Sequence, residues 1–430
     1  MNNVYDIVCI GAGVSGLYLA NKLMNENPEK SMFIMDKFDR VGGHLMSVPL
    51  EGVEYQAEGG SNRILASQLL TLRAMMETGT QLTEATYTAK STSESTLLKQ
   101  MAARGPRPGD EKISNFDGII NWPNIPGGSY DNIEKFTALS GFGFGDHTTS
   151  MEMALKKTLA TIPDSVQYFP HGGYSAFAEK LANNVVDKYP IMLDIEALEI
   201  NRMQDGDYKY EVVTTAGSYY CNHVVYTGDR HNLYLLGGDS DALRQLKELM
   251  YDVTGTDITN LRMYFTVDQP WWTEDQIGHV VNDFGPIAQI VYASPNSFFI
   301  YNQEQTADIL YYMVPSELRH LGVNNMQWID ASTTPRLSQF VKKYVIEMIN
   351  KVNYQELLND DNVNFGQMAF KYTPQTTFTY TPTDVPLESI TRILNDFDGI
   401  HLVSDAYYET TGWIEDAFKC VNRTYPSIIT

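Results

Sequence analysis

Apolar and polar positions follow two different periods along this 430-residue chain. Near the N-terminus a largely apolar run, residues 4–10, passes through Gly11 into Leu17-Tyr18-Leu19-Ala20, and a second run, SMFIM at 31–35, follows. Short apolar runs bounded by glycine predict buried strands, and the stretch between them a helix, so the chain opens β-α-β. Residues 66–100 begin with helical spacing (LLTLRAMM) and turn Ser/Thr-rich. Residues 101–148 are crowded with Gly, Pro and Asp, a long irregular stretch that reads as a surface excursion or lid. Helices are expected at 151–160 and 172–188. From 190 to 228 the period falls to two, and Ala216-Gly217 marks a hairpin turn between strands. Residues 258–313 read as strand-rich, in MYFTV, AQIVYA, SFFIY and ILYYMV. An amphipathic helix is expected over 334–358. The chain closes as strand, loop and helix, GIHLVSDAYY then GWIEDAFKCVNR, and no internal repeat is present.

Composition adds limits rather than identity. The length suits two or three interleaved domains around a sizeable core. Hydrophobic content of 43% and charged content of 20% are ordinary for a globular protein. A net charge of −22 disfavours nucleic acid or an anionic membrane as partner, and leaves open solubility or the steering of a cationic substrate. Cys9, Cys221 and Cys420 are scattered and odd in number, so neither a disulfide framework nor a metal site is expected. The first strand begins almost at once, which leaves no room for a signal peptide, and no apolar run approaches ~18 residues. A cytoplasmic, soluble protein is expected, with its oligomeric state open.

The first chemical signal is Gly11-Ala12-Gly13-Val14-Ser15-Gly16, set between strand and helix. Gly11 permits a tight turn, Gly13 lets backbone approach a pyrophosphate, and Gly16 lets helix and strand pack closely. The amide groups of Val14 and Ser15 then lie at a helix N-terminus, where phosphate is favoured. Asp36, followed by Lys37, ends the next strand about twenty residues on, where a carboxylate can hold a ribose hydroxyl. A bound dinucleotide follows.

Four segments together resemble the flavin amine oxidase family, and within it the L-amino-acid oxidases. They are the glycine fingerprint with Asp36; Arg40-Val41-Gly42-Gly43-His44, similar to the R-x-G-G-R segment; Pro170-His171-Gly172-Gly173; and Val403-Ser404-Asp405 with Gly412-Trp413-Ile414-Glu415-Asp416-Ala417, similar to the strand end and G-W-I-E/D helix start. The resemblance implies an α/β fold in which a Rossmann-like FAD-binding domain (1–65, 165–250 and 390–430) interleaves with an α+β substrate-binding domain (251–389), with a helical or irregular excursion at 66–164. It implies FAD, held without a covalent link because no cysteine lies between Cys221 and Cys420. Gly60, Ser61, Asn62 and Ala197 fall at further family cofactor positions. Asp405 would accept from a ribityl hydroxyl, and the helix start at Gly412, Trp413, Ile414 and Ala417 would favour negative charge on the reduced flavin. Three departures stand out: His44 for Arg, Ser404 for Gly and Asp416 for Gly.

The residues that would choose a substrate are fewer. Glu58-Gly59-Gly60-Ser61-Asn62-Arg63 resembles the E-x-G-x-x-R segment in which the family's arginine grips a substrate carboxylate. Guanidinium and carboxylate pair bidentately, which fixes orientation; a structural bridge between Arg63 and Glu58 is the alternative. Tyr292 falls near a family tyrosine that shares the carboxylate, and Trp413 corresponds to an aromatic that walls the substrate space. Arg262 stands where the family keeps a lysine near the flavin, in a register set by Trp271-Trp272. Arginine keeps the charge but cannot exchange a proton near neutrality. The expected activity is oxidative deamination of an L-amino acid or primary amine by hydride transfer to the flavin, with O2 or another molecule as acceptor. A desaturase- or protoporphyrinogen-oxidase-like enzyme, and a FAD-binding protein that has lost catalysis, are the alternatives.

Overall fold

The opening strand, Val4–Ile10, is the hub of the first of two large sheets. In this computed structural model the described residues are 3–50, 56–61, 63–85, 103–114, 117–118, 149–161, 166–204, 206–253, 257–277, 280–281, 289–324, 326–330, 334–347, 350, 365–378, 380–410 and 412–430. Most of the Gly/Pro/Asp-rich stretch and the end of the 334–358 helix lie outside them, as does Asn62.

Among the described residues Val4–Ile10 pairs in parallel with Met32–Met35 on one side and with Gly217–Tyr226 on the other. Ile191–Met192 and Ile400–Leu402 extend this parallel core outward, and the antiparallel strands Tyr210–Thr214 and Ala197–Arg202 complete a seven-stranded sheet. The expected hairpin turn at Ala216-Gly217 is there, with Gly217 at φ 123°. Strands covered on both faces need not alternate, which is why Met32–Met35 is buried at every position. Helices Val14–Glu26, Gly173–Val185 and Ile414–Ile428 pack beside this sheet, with Tyr18 stacked on Phe418 at 3.9 Å between centroids. Cys9, Cys221 and Cys420 are free and buried.

A six-stranded sheet carries the other half, and its central strands Asp257–Val267, Ser297–Gln303 and Phe365–Phe378 are antiparallel. One face holds Met263, Phe265, Tyr292, Phe298, Ile300 and Phe370 in a large core with the helices. The other holds Tyr264, Val291, Phe299, Tyr301 and Ala369 against Met46, Val48 and Ala57 of the Ser47–Pro49/Gln56–Glu58 hairpin. That second face joins the two halves.

One local expectation is corrected. ILYYMV is the end of a helix, Glu304–Met313, and not a strand. Ala307, Leu310 and Val314 are buried while Ile309 and Tyr312 are 54% and 63% exposed, a three-to-four-residue spacing that six residues could not display. The 334–358 helix starts at Pro335 and widens into a π-helical turn at Val341–Val345. The extra residue in the turn lets Leu337, Phe340, Val341, Val345 and Ile346 all reach the core.

A histidine pair, His401 buried and His223 partly so, crosslinks neighbouring parallel strands of the first sheet. His223 Nδ1 and His401 Nε2 are 3.1 Å apart, and His401 Nδ1 lies 3.0 Å from the Asn395 carbonyl. Burial, helped by His223, pushes His401 down to about 4 from an ordinary 6.5. The unfolded chain therefore binds a proton that the native site refuses. The neutral pair's contribution is complete above pH 6.5 and is lost as the pH falls toward 4. Urea unfolding between pH 4.5 and 7 should show stability dropping with acid, and His401→Gln should flatten that slope. A slope unchanged in the variant would assign the acid sensitivity elsewhere.

Candidate cofactor and active site

The register of the parallel strands sets four chain segments at one level. Ile10 is the partner of both Met35 and Tyr226, and Tyr226 the partner of Leu402, so Gly11, Asp36, Thr227 and Val403 leave the sheet side by side. This carboxyl edge is where open α/β sheets bind ligands.

Gly11 turns the chain at φ 116°, a conformation closed to side chains, and a Cβ there would run into Thr227. Thr227 Oγ1 donates to the Gly11 carbonyl at 3.1 Å. Gly16 presses the helix onto the turn, and a Cβ on it would strike the Gly11 carbonyl and approach Cys9 Sγ to 3.0 Å. The helix that follows starts at Val14 with no side-chain cap and no acid in its first turn. Its first amide groups are thus left for an external anion. Asp36 accepts from the Ala12 amide at 2.7 Å and from Phe38 at 3.0 Å, so its carboxylate braces the turn, and each oxygen keeps a lone pair for a hydroxyl. Burial raises its pKa.

The second glycine segment lies directly on the first. Gly42 donates to the Ala12 carbonyl at 2.9 Å, and a Cβ on Gly43 would stand 3.1 Å from the Gly13 Cα. Arg40 reaches back over its own turn to the Gly43 carbonyl at 2.7 Å. Gly60 closes on the same place, since a Cβ there would overlap the His44 carbonyl, with Ser61 beside it. Ala197 begins a strand just after Ile195, whose amide donates to the Asp36 carbonyl at 2.9 Å. Lys37 instead extends along the surface to Asn232 at 2.7 Å.

At the end of the last parallel strand Asp405 accepts from the Gly412 amide at 3.0 Å, with Gly412 at φ 100°. Trp413, half-exposed, is the N-cap of Ile414–Ile428, again with no side-chain cap. Glu415 faces away and accepts from Thr71 at 2.9 Å, capping the Leu69–Glu77 helix, and Ala417 packs into the core. Asp416, where glycine was expected, is buried beside Asp405, and burial raises the two to about 6 and about 7. His44 and Asp405 share a telling property. Water reaches both, yet desolvation pushes His44 below and Asp405 above its ordinary value. Such residues line a recess rather than an outer surface.

Glu58 links this recess to the second sheet. Its carboxyl lies 2.6 Å from Ser47 Oγ and accepts from the Tyr174 amide at 3.2 Å. Its carbonyl accepts from Tyr264 Oη at 2.9 Å and from Arg262 Nη1 at 3.1 Å. Burial outweighs these partners and pushes the carboxyl up to about 8. Arg262 therefore faces the dinucleotide half, and its guanidinium also lies over the Tyr301 ring. Arg63 is half-buried just before the Ile64–Leu65 strand.

Tyr292 is not brought to this place. It stacks on Trp272 and accepts from Trp271 Nε1 at 3.3 Å on the opposite face of the sheet. Adjacent strand residues point to opposite faces, so Val291 faces the recess side and Tyr292 cannot. Three contributors went unread in the sequence, Thr227, Tyr264 and Lys371, and Glu58 was read only as part of the Arg63 segment. Lys371 interrupts the apolar run Met368-Ala369-Phe370 and Tyr372, in a strand buried on both faces. Only the pairing of Lys371 with Arg262 across the sheet marks it.

The residues at the carboxyl edge fit a flavin dinucleotide: two uncapped helix starts for anionic groups, glycines where any Cβ would fill the cradle, and carboxyls for sugar hydroxyls. Among the described residues no cluster of three or more His, Cys, Asp or Glu could hold a metal ion, and no helix is long and apolar enough to cross a membrane.

Residues 9–77 match the NAD(P)-binding Rossmann-like domain family. By sequence, no curated protein matches the chain. Among solved structures, a variant of putrescine oxidase from a redesign of its cofactor binding aligns with a TM-score of 0.69 at 14% identity, over 99% of each chain. Wild-type putrescine oxidase bound to putrescine aligns with a TM-score of 0.67 at 15% identity, again over 99% of each. The whole chain thus shares the α/β fold of putrescine oxidase, and its N-terminal part carries a Rossmann-like domain.

Proposed function

We propose that this chain is a FAD-dependent oxidoreductase that oxidises a small primary amine or an L-amino acid. One observation carries the reading: two uncapped helix starts and three glycine-bearing segments converge at the carboxyl edge of the parallel sheet, facing Arg262 of the second sheet. FAD, bound there without a covalent link, would supply the two-electron acceptor for a hydride leaving the carbon that bears nitrogen. Residues 1–65, 165–250 and 390–430 would hold it, with 251–389 closing the substrate side and 66–164 the excursion. Val14 and Ser15 amides would take the pyrophosphate, Asp36 a ribose hydroxyl and Asp405 a ribityl hydroxyl. Trp413 would wall the substrate space and exclude water. For an amino acid, Arg63 would grip the carboxylate; for a diamine, the net charge of −22 would steer the cation inward. Three unpaired, buried cysteines suit a cytoplasmic setting and leave no thiol for a flavin linkage.

The purified protein should be yellow, and anaerobic mixing with the twenty amino acids and with short diamines and polyamines should bleach the flavin with at least one. Readmitting air then reports whether O2 is the acceptor. A flavin that dithionite reduces but none of these donors touches would overturn the reading and favour a protein that binds FAD without this chemistry.

A further inference from the structure

Arg262 leaves the recess with a permanent charge, but a proton-exchanging group stands on the neighbouring strand. Lys371 is the direct cross-strand partner of Arg262, so the two side chains leave the same face. It is 5% exposed, and a Cβ on Gly59 would lie 3.0 Å from its Cγ, which places its stem against the Glu58–Gly60 segment. Its Nζ donates to the Val323 carbonyl at 2.6 Å and lies 3.5 Å from the Tyr372 carbonyl. Both are neutral acceptors, and neither supplies the carboxylate that a buried ammonium ordinarily needs. We propose that Lys371 Nζ is the proton-exchanging amine of the reaction, taking a proton from the ammonium group of the incoming substrate.

The proposal rests on the amine-oxidising reading above. A substrate nitrogen must lose its proton, and so expose its lone pair, before hydride can leave the adjacent carbon. Neutral Lys371 accepts that proton through its own lone pair, becomes an ammonium, and later returns the proton to solvent; no electrons change hands. Arg262 cannot do this.

The charged groups around Lys371 favour the neutral form. Arg262 is across the strand and Arg40 comes from the glycine turn, while His44 beside them is held neutral by burial. The nearby acid, Glu58, is itself pushed toward its neutral form. On the packed helix Arg319 turns to the Val314 carbonyl and His320 is exposed. On its own strand Tyr372 points to the other face and donates to Asp308 at 2.6 Å. Burial, with Arg40, brings the Lys371 amine down to about 7. Two hydrogens then serve the carbonyls and the lone pair remains for the substrate.

Lysine-13Cε-labelled protein, titrated by NMR without substrate, should show one resonance with a midpoint near neutrality that is missing from Lys371→Arg. Lys371→Arg keeps a donor for the Val323 carbonyl but puts a permanent charge in place of the exchangeable amine, and flavin reduction at pH 7.5 should slow by about 100-fold. The rise of kcat/KM through pH 7 should vanish. Lys371→Met should lose the same inflection, which guards against an arginine too large for the Gly59 contact. A lysine midpoint near the ordinary ~10.4, or a pH profile kept in both variants beside a lowered Tm, would reduce Lys371 to a helix-capping contact and overturn the proposal. A flavin bleached by no amine would instead overturn the reaction class.

Discussion

Alanine at Gly11 should yield a protein that is both less stable and nearly free of flavin. The residue holds φ 116°, where an added Cβ is strained, and that Cβ would collide with Thr227. Strain of this kind costs about 1–3 kcal/mol before the collision is counted. The turn cannot relax independently, because Gly11 donates to the Met35 carbonyl at 2.7 Å and Ala12 to Asp36. Any shift therefore moves Asp36 and the helix start together. Flavin affinity should fall by about 100-fold, which is roughly 2.7 kcal/mol. The absorbance ratio after gel filtration and the urea midpoint with and without added FAD measure the two effects separately. A variant that keeps its flavin and its wild-type midpoint would show that the turn is not the cradle.

Glu58→Ala should cost about 2–4 kcal/mol, because it strips partners from the Ser47 hydroxyl and the Tyr174 amide inside the junction of the two halves. Glu58→Gln should be mild. A carboxyl raised to about 8 carries its proton at neutral pH, and an amide presents a similar donor and acceptor to Ser47 and Tyr174. The pH dependence then separates the pair. The native state keeps a proton that the unfolded chain gives up above about 4.5, so the native state is favoured most below 4.5 and loses that contribution as the pH rises through 8. Wild type should lose stability relative to Glu58→Gln between pH 5 and 8.5 in chemical denaturation. Parallel curves would mean that Glu58 is ionised in the fold, held by Arg262.

The dinucleotide half was largely legible because its signals are local. Gly11, Gly13 and Gly16 act on their own turn and on the helix six residues away, and Gly42-Gly43 and Gly412 likewise carry left-handed backbone that the residue type announces. The substrate side was less legible. ILYYMV was too short for its period to show, and Tyr292 fell only near a family tyrosine, where one residue's slip exchanges the faces of a strand.

By itself the sequence determined the β-α-β opening, the glycine turns, the strand-loop-helix close and the acids that end two strands, because backbone conformation and hydrophobic period are written within about ten residues. Only the tertiary structure decided that the two glycine turns touch, that Arg262 faces the Glu58 carbonyl while Tyr292 faces the far core, and that Lys371 lies opposite Arg262. Those facts depend on strand order and register between residues about 30 to 200 positions apart. No local pattern encodes them, since the burial that sets the charge of Glu58, Asp405 and Lys371 comes from segments remote in the chain.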